Sequence, residues 1–244
     1  MIHGWLIVLS DVFELCSYID QLQYNKLKKS IYGLSFDFYI LHTLSYIAKF
    51  VSCYGYIFNK EVINQYRLRF PIHPIIPINY WCLLVDLFTT FVSICIIIQL
   101  FFKHYHSKND FQGISWFCGI VCSVLLIIFL YLFKFYYYNQ KKILLLDIFD
   151  YFWLVDHGLA IIKLVPQIFI NFLSRNTRGQ SWGFLLFQWL GFSCLFLSHL
   201  FGYNWYEIPV NYYGWIYLLG YGVCLIVLTT QIHIFYKIKK FNSV

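Results

Sequence analysis

Seven stretches of this chain are each long and apolar enough to cross a lipid bilayer, and that fact limits every other choice the chain has. They run over residues 4–24, 35–58, 77–102, 114–137, 144–172, 181–203 and 211–236. A hydrocarbon core about 30 Å thick takes about 20 residues of helix. Backbone N–H and C=O groups in lipid must be satisfied within their own segment, so each stretch is predicted to be helical. The composition agrees: 60% of the residues are hydrophobic and 12% are charged, against about 25% charged in a soluble domain. The expected fold class is an all-α membrane protein of seven transmembrane helices, with no room for a sizeable soluble domain.

The net charge of +7 would suit a nucleic-acid partner, but the basic residues sit in short loops between apolar stretches and read as topology signals. No basic patch with interleaved aromatics occurs, and nucleic acid is excluded as a partner. The loops after the first, third and fifth stretches and the C-terminal tail hold ten basic residues: Lys26, Lys28, Lys29, Lys103, Lys108, Arg175, Arg178, Lys237, Lys239 and Lys240. The opposite side holds six: Lys60, Arg67, Arg69, Lys134, Lys141 and Lys142. The excess predicts a cytosolic C-terminus and a lumenal or external N-terminus. The start lacks a basic n-region and a small-residue cleavage site, so it reads as the first helix and not as a removed signal. All eight cysteines fall in apolar stretches without CxxC or zinc-type spacing, and read as small buried hydrophobes. His104 and His106 lack further ligands nearby. No metal and no cofactor are expected, and no catalytic constellation is visible, so the chain does not read as an enzyme.

The run "KLVPQIFINFLSRNTRGQSWGF", residues 163–184, has a partner at residues 17–38, "SYIDQLQYNKLKKSIYGLSFDF". Gln21 matches Gln167, Asn25 matches Asn171, Gly33 matches Gly179, Ser35 matches Ser181, and Phe38 matches Phe184. The separation is 146 residues in all five cases, without a gap. The first and fifth stretches are four apart and run in the same direction, so the repeats are parallel. The predicted organisation is a three-helix bundle over 1–110, a linker helix over 111–140, and a second bundle over 141–244. Repeats around a central site are a carrier design in which two bundles rock against each other. Pro166 removes one helix hydrogen bond and reads as a hinge in the fifth stretch.

The proline–glutamine pair at Pro166 and Gln167, followed by Asn171, Gly179 and Ser181, resembles the PQ-loop family. The "GLSFDF" element of the first copy resembles the cystinosin branch of that family, the lysosomal cystine exporters. The resemblance covers nearly all seven stretches in order and spacing. It implies a proton-coupled carrier moving cystine from an acidic lysosomal, vacuolar or endosomal lumen to the cytosol, its partners being the small-molecule substrate, protons and membrane lipid.

Lys163, Gln167 and Asn171 lie four residues apart and form one stripe on a helix. Ser17, Gln21 and Asn25 form its counterpart. Two such stripes facing each other would line a polar slot at mid-membrane. Lys163 would meet a substrate carboxylate or pair with Asp156. Gln21 and Gln167 either bind helices together or contact substrate. His42 and Gln188, again 146 apart, are expected to face the slot. Asp37 either caps the second helix or serves as a cytosolic gate.

The chain departs from the family pattern where protons are concerned. Tyr80, Gln188 and Leu225 stand where the resemblance implies acids, and Asp156 where it implies a lysine. Asp20 replaces the first proline. Proton coupling needs a titrating group, and the candidates are His42, Asp156, Asp86 and Asp20. The alternatives are a carrier of another, cationic amino acid, which the acid at Asp156 would favour, or a non-transporting seven-helix cargo receptor or scaffold.

Overall fold

The computed structural model describes residues 2–72, 74–76, 78–138, 142–201 and 214–241, with the side chains of 2, 3, 214 and 236–241 left out. The boundaries predicted at 140/141, 203 and 211, and the side chains of Lys141, Lys237, Lys239 and Lys240, lie outside that set. Among the described residues the chain is helical and free of strands: α1 Ile2–Lys28, α2 Phe36–Phe58, α3 Lys60–Arg69, α4 Tyr80–Ile98, α5 Trp116–Tyr138, α6 Leu145–Ile162, α7 Val165–Ser174, α8 Trp182–Phe201 and α9 Gly214–Phe241. A π-helical turn, Gln99–Lys103, extends α4.

Five spans are apolar and long enough to cross a membrane: 80–103, 116–138, 145–174, 182–201 and 215–235. Among the described residues these five overlap the third to seventh predicted stretches, and α1 of 27 residues and α2 of 23 cover the first two, long enough at 1.5 Å per residue. The all-α membrane architecture therefore stands. Two features refine it. The fifth stretch is two helices, because the chain leaves the helix at Lys163 and Leu164 and resumes with Pro166 in the first turn of α7. Proline is tolerated there, since the N–H it lacks would be unpaired anyway. And α3 is a helix where a loop was expected, started by Asn59, whose side chain accepts from the N–H groups of Glu61 and Val62.

The packing follows the repeat. Helix α1 lies along α8 and α4, and α2 along α6 and α4; α9 packs on α6, α7 and α8. Exchanging α1 for α6–α7, α2 for α8 and α4 for α9 maps this set of contacts onto itself, as a pseudo-two-fold axis between parallel repeats requires. Helix α5 lies outside this arrangement against α6 and α2. It exposes Trp116, Ile127 and Tyr131, which suits a lipid-facing connector.

Candidate functional site

Two repeat-related layers lie on the axis. The first is at the end of the bundle where α1, α6 and α7 give way to the connecting segments 29–35 and 175–181. The Gln21 side chain donates to Asn25 Oδ1 at 2.8 Å and to the Gly179 carbonyl at 2.9 Å, and its Oε1 accepts from the Ser181 N–H at 3.0 Å. Gln167 does the same in reverse. It donates to Asn171 Oδ1 at 3.0 Å and to the Gly33 carbonyl at 2.8 Å, and accepts from the Ser35 N–H at 2.8 Å. Each glutamine is fully buried and holds the connecting segment of the other repeat. Ser35 and Ser181 in turn cap α2 and α8, accepting from Phe38 N and Phe184 N, as N-cap serines do.

The two segments cross at their glycines. Gly33 has φ +83°, a conformation that costs glycine little. A Cβ on Gly179 would stand 2.5 Å from the Tyr32 carbonyl oxygen and 2.7 Å from Gly33 C. Next inward, Phe38 and Phe184 meet edge to face at 6.0 Å. Two of the five identical pairs therefore touch each other across the axis, and the other three make reciprocal bonds. Together they close this end.

The amide layer has members that the repeat comparison missed. Asn25 donates to Gln99 Oε1 at 3.2 Å, and Gln99 donates to the Leu22 carbonyl. Asn171 donates to Gln231 Oε1 at 3.4 Å, and Gln231 donates to the Ile168 carbonyl. Gln99 and Gln231 are not 146 apart, because the loops before the third helix of each repeat differ in length. Their signal was an amide inside an apolar helix.

The second layer is a cavity of about 170 Å³ at the other end, partly open. Its walls include six pairs again 146 residues apart: Ile7 with Trp153, Ser10 with Asp156, Asp11 with His157, Glu14 with Ala160, Lys49 with Leu195, and Cys53 with His199. It too sits on the axis, yet none of the six pairs is identical. Its charges form ion pairs. Lys163 Nζ lies 2.7 Å from Glu14 Oε1, linking the break between α6 and α7 to α1. Lys49 Nζ lies 2.7 Å from Asp11 Oδ1 and 3.0 Å from Asp86 Oδ1, joining α2, α1 and α4. Tyr46 presents its ring to both ammonium groups, at 5.3 Å from Lys49 and 5.4 Å from Lys163. Asp156 Oδ1 accepts from Ser45 Oγ at 2.5 Å.

The structure does not bring the expected site residues together in one slot. Lys163 and Asp156 line the cavity. They do not pair with each other, because Glu14 holds Lys163. Gln21, Asn25, Gln167 and Asn171 belong to the amide layer and not to the cavity wall. Gln188 and His42, expected to face the slot, occupy the floor between the layers. Gln188 donates to Ser17 Oγ at 2.6 Å and accepts from the Tyr221 hydroxyl. His42 stacks on Tyr18 at 3.8 Å, and its ring nitrogens have no hydrogen-bond partner among the described residues. Asp86 is fully buried behind Lys49. Asp20 bonds the Ser181 hydroxyl. Asp37 does not cap α2 by hydrogen bond, since Ser35 does. Its Oδ1 accepts from Ser115 N at 2.9 Å and ties the start of α5 to that of α2. Pro166 lies in the first turn of α7, just after the α6–α7 break. Of the implied acid positions, Tyr80 is exposed and Leu225 fully buried. Among the described residues no cluster of histidines, cysteines and carboxylates has the make-up of a metal site.

Comparison with known proteins agrees with this two-fold arrangement. The PQ loop repeat family matches residues 2–62 and 148–205, the two segments that supply the repeat-related pairs of both layers. An uncharacterized protein of Saccharomyces cerevisiae is 28% identical over 98% of this chain and 95% of its own length. The cystinosin of Drosophila melanogaster is 24% identical over the whole chain, which spans 60% of that relative. Bovine cystinosin is 25% identical over 72% of the chain and 46% of its own length.

Proposed function

We propose that this protein of two PQ loop repeats is a membrane carrier that takes an amino acid, cystine in the first instance, from an acidic lysosomal or vacuolar lumen to the cytosol. The observation that supports this reading best is the pair of layers on the axis: a charged cavity open at one end and a satisfied amide clamp closing the other. That is the form of a carrier halted with one gate open. With the N-terminus lumenal, as the loop charges predict, the open end faces the lumen and the clamp faces the cytosol. Rocking the repeats about the axis, with the break before Pro166 as hinge, would part the Gly33–Gly179 crossing and close the cavity mouth. Protons are the natural coupling ion, because the cavity region holds more carboxylates than lysines.

A second reading has its own support. Among the described residues no lysine or arginine lies within ion-pair distance of Asp156, whereas both cavity lysines are already held by acids. The Asp156 carboxylate, which accepts from Ser45 Oγ and lies 3.5 Å from His157 Nδ1, keeps its negative charge on the wall without a lysine or arginine, and favours the ammonium of a cationic amino acid. Purified protein in liposomes, loaded with radiolabelled cystine or radiolabelled lysine and studied with and without a pH gradient, separates the readings. Cystine flux supports the first, lysine flux alone supports the second, and flux of neither removes both.

A further inference from the structure

Resting on the proton-coupled carrier reading above, we propose that Asp11, Lys49 and Asp86 together form the unit that carries the coupled proton. Three observations support this. The first is charge. The cavity region holds Lys49 and Lys163 against Asp11, Glu14, Asp86 and Asp156. Lys163 and Glu14 neutralise each other at 2.7 Å. Lys49 has two carboxylates to satisfy, at 2.7 Å and 3.0 Å, so the three-residue unit is one negative charge in excess. Buried uncompensated charge is costly, and one added proton makes the unit neutral.

The second observation is access. Asp11 and Lys49 stand on the cavity wall, while Asp86 is fully buried behind them and is not part of the wall. No amino acid in the cavity can touch Asp86. A proton that binds Asp11 is held by the whole unit, because Lys49 then pairs with Asp86 alone. Asp156 differs: it lies on the wall itself, held by Ser45, where a substrate ammonium can meet it.

The third observation is the state of the other candidates. Gln188 has an amide that does not titrate, and it is bonded to Ser17 and Tyr221. His42 is absent from the cavity wall. The groups that face the unit come from each packed element. They are Glu14 on α1, Tyr46 and Cys53 on α2, and Cys82 on α4. From the second repeat they are Asp156 and His157 on α6, Lys163 at the break, His199 on α8 and Tyr217 on α9. All three members of the unit belong to the first repeat, on α1, α2 and α4. The step is a plain proton transfer: a proton from water in the cavity binds a carboxylate oxygen, and it leaves to water on the far side.

The test compares wild type, Asp86→Asn and Asp86→Glu in liposomes. It measures exchange of radiolabelled cystine and of radiolabelled lysine at equal pH, then accumulation driven by a gradient of one pH unit. One coupled proton supports up to about tenfold accumulation per unit. Asp86→Asn leaves Asp11 and Lys49 as a neutral pair, so the fold is retained and exchange remains measurable. The expected result is accumulation in the wild type and in Asp86→Glu, and none above about onefold in Asp86→Asn. Accumulation in Asp86→Asn equal to that of the wild type overturns the assignment, and so does a wild type that exchanges substrate without responding to the gradient. If Asp86→Asn loses exchange as well, Asp11→Asn, which leaves Lys49 and Asp86 as the neutral pair, takes its place. Gradient-driven accumulation in that variant, or loss of exchange there too, rejects the unit. A wild type that moves neither substrate rejects the carrier reading instead.

Discussion

The two ends of this bundle are built from the same repeat and obey opposite rules. At the clamp, five repeat-related pairs are identical and uncharged; four bond or pack across the axis, and Asn25 and Asn171 brace the glutamines within their own repeats. At the cavity, six repeat-related pairs share position but not identity, and the charges are unevenly divided: Asp11, Glu14, Lys49 and Asp86 on the first repeat, Asp156 and Lys163 on the second. A gate on a two-fold axis closes best when both halves bring the same surface, as in any self-complementary contact. A binding site for one asymmetric molecule gains nothing from matching halves. On the carrier proposal the repeat is kept where the protein meets itself and diversified where it would meet a substrate.

The largest test of this contrast is at the cavity. Lys163→Met leaves Glu14 buried without its partner, which costs about 3–5 kcal/mol. The loss is read from chemical unfolding in detergent. Adding Glu14→Gln should return most of it, and a double variant no better than the single would show that the pair is not what stabilises the break. The next test is at the crossing. In Gly179→Ala the new Cβ meets the Tyr32 carbonyl at 2.5 Å, and overpacking of this kind costs about 1–3 kcal/mol. On the carrier proposal flux should fall further than stability, because the crossing would have to re-form in each cycle. Gly119→Ala, where a Cβ has nothing within 4 Å, is the control.

The symmetry of the clamp is itself testable. Gln21→Leu and Gln167→Leu each remove three hydrogen bonds and strand a buried N–H and C=O, at about 1–3 kcal/mol. The two losses should agree within about 0.5 kcal/mol, the scatter usual for independent sites. A large inequality would mean that the reciprocal geometry hides an asymmetric gate. Asp20 is one residue that could produce it, since its bond to Ser181 has no counterpart at Pro166; Gln112, which donates to the Ile31 and Leu34 carbonyls, is another.

Much of this was legible in the sequence. The helices announce themselves because lipid leaves the backbone no alternative, and Pro166 marked the break that separates α6 from α7. The clamp residues were visible as a repeat, but spacing alone could not tell whether the stripes of Gln21–Asn25 and Gln167–Asn171 faced a ligand or each other's loops. That depends on how closely the repeats approach, which Gly33 and Gly179 decide and which no periodicity encodes. Helix α3 escaped because it is short and polar, and its one clear sign is the Asn59 cap. Asp11 and Glu14 escaped for a different reason. They lie two to four turns from the start of α1, where a carboxylate reads as belonging to the interface. Only the packing of α2 and of the α6–α7 break against α1 brings Lys49 and Lys163 to them.

The smallest predicted effect is at the cavity end of the bundle, away from the cavity wall. Arg69 on α3 reaches Asp147 at 2.7 Å and Asp150 at 3.4 Å on α6, so it too joins the first repeat to the second. These side chains are 30–41% exposed. Ion pairs so open to water contribute about 0–1 kcal/mol and weaken with salt. Arg69→Met should therefore shift unfolding by less than about 1 kcal/mol, and less again at high salt. The weakness has a use. The clamp end is closed here by buried, uncharged bonds that salt does not reach. On the carrier proposal the cavity end must close and reopen, so exposed links between the repeats there have to break at little cost. If Arg69→Met proved as damaging as Gln167→Leu, the cavity end would be as firmly tied as the clamp. The two ends would then no longer differ in the way that alternating access demands.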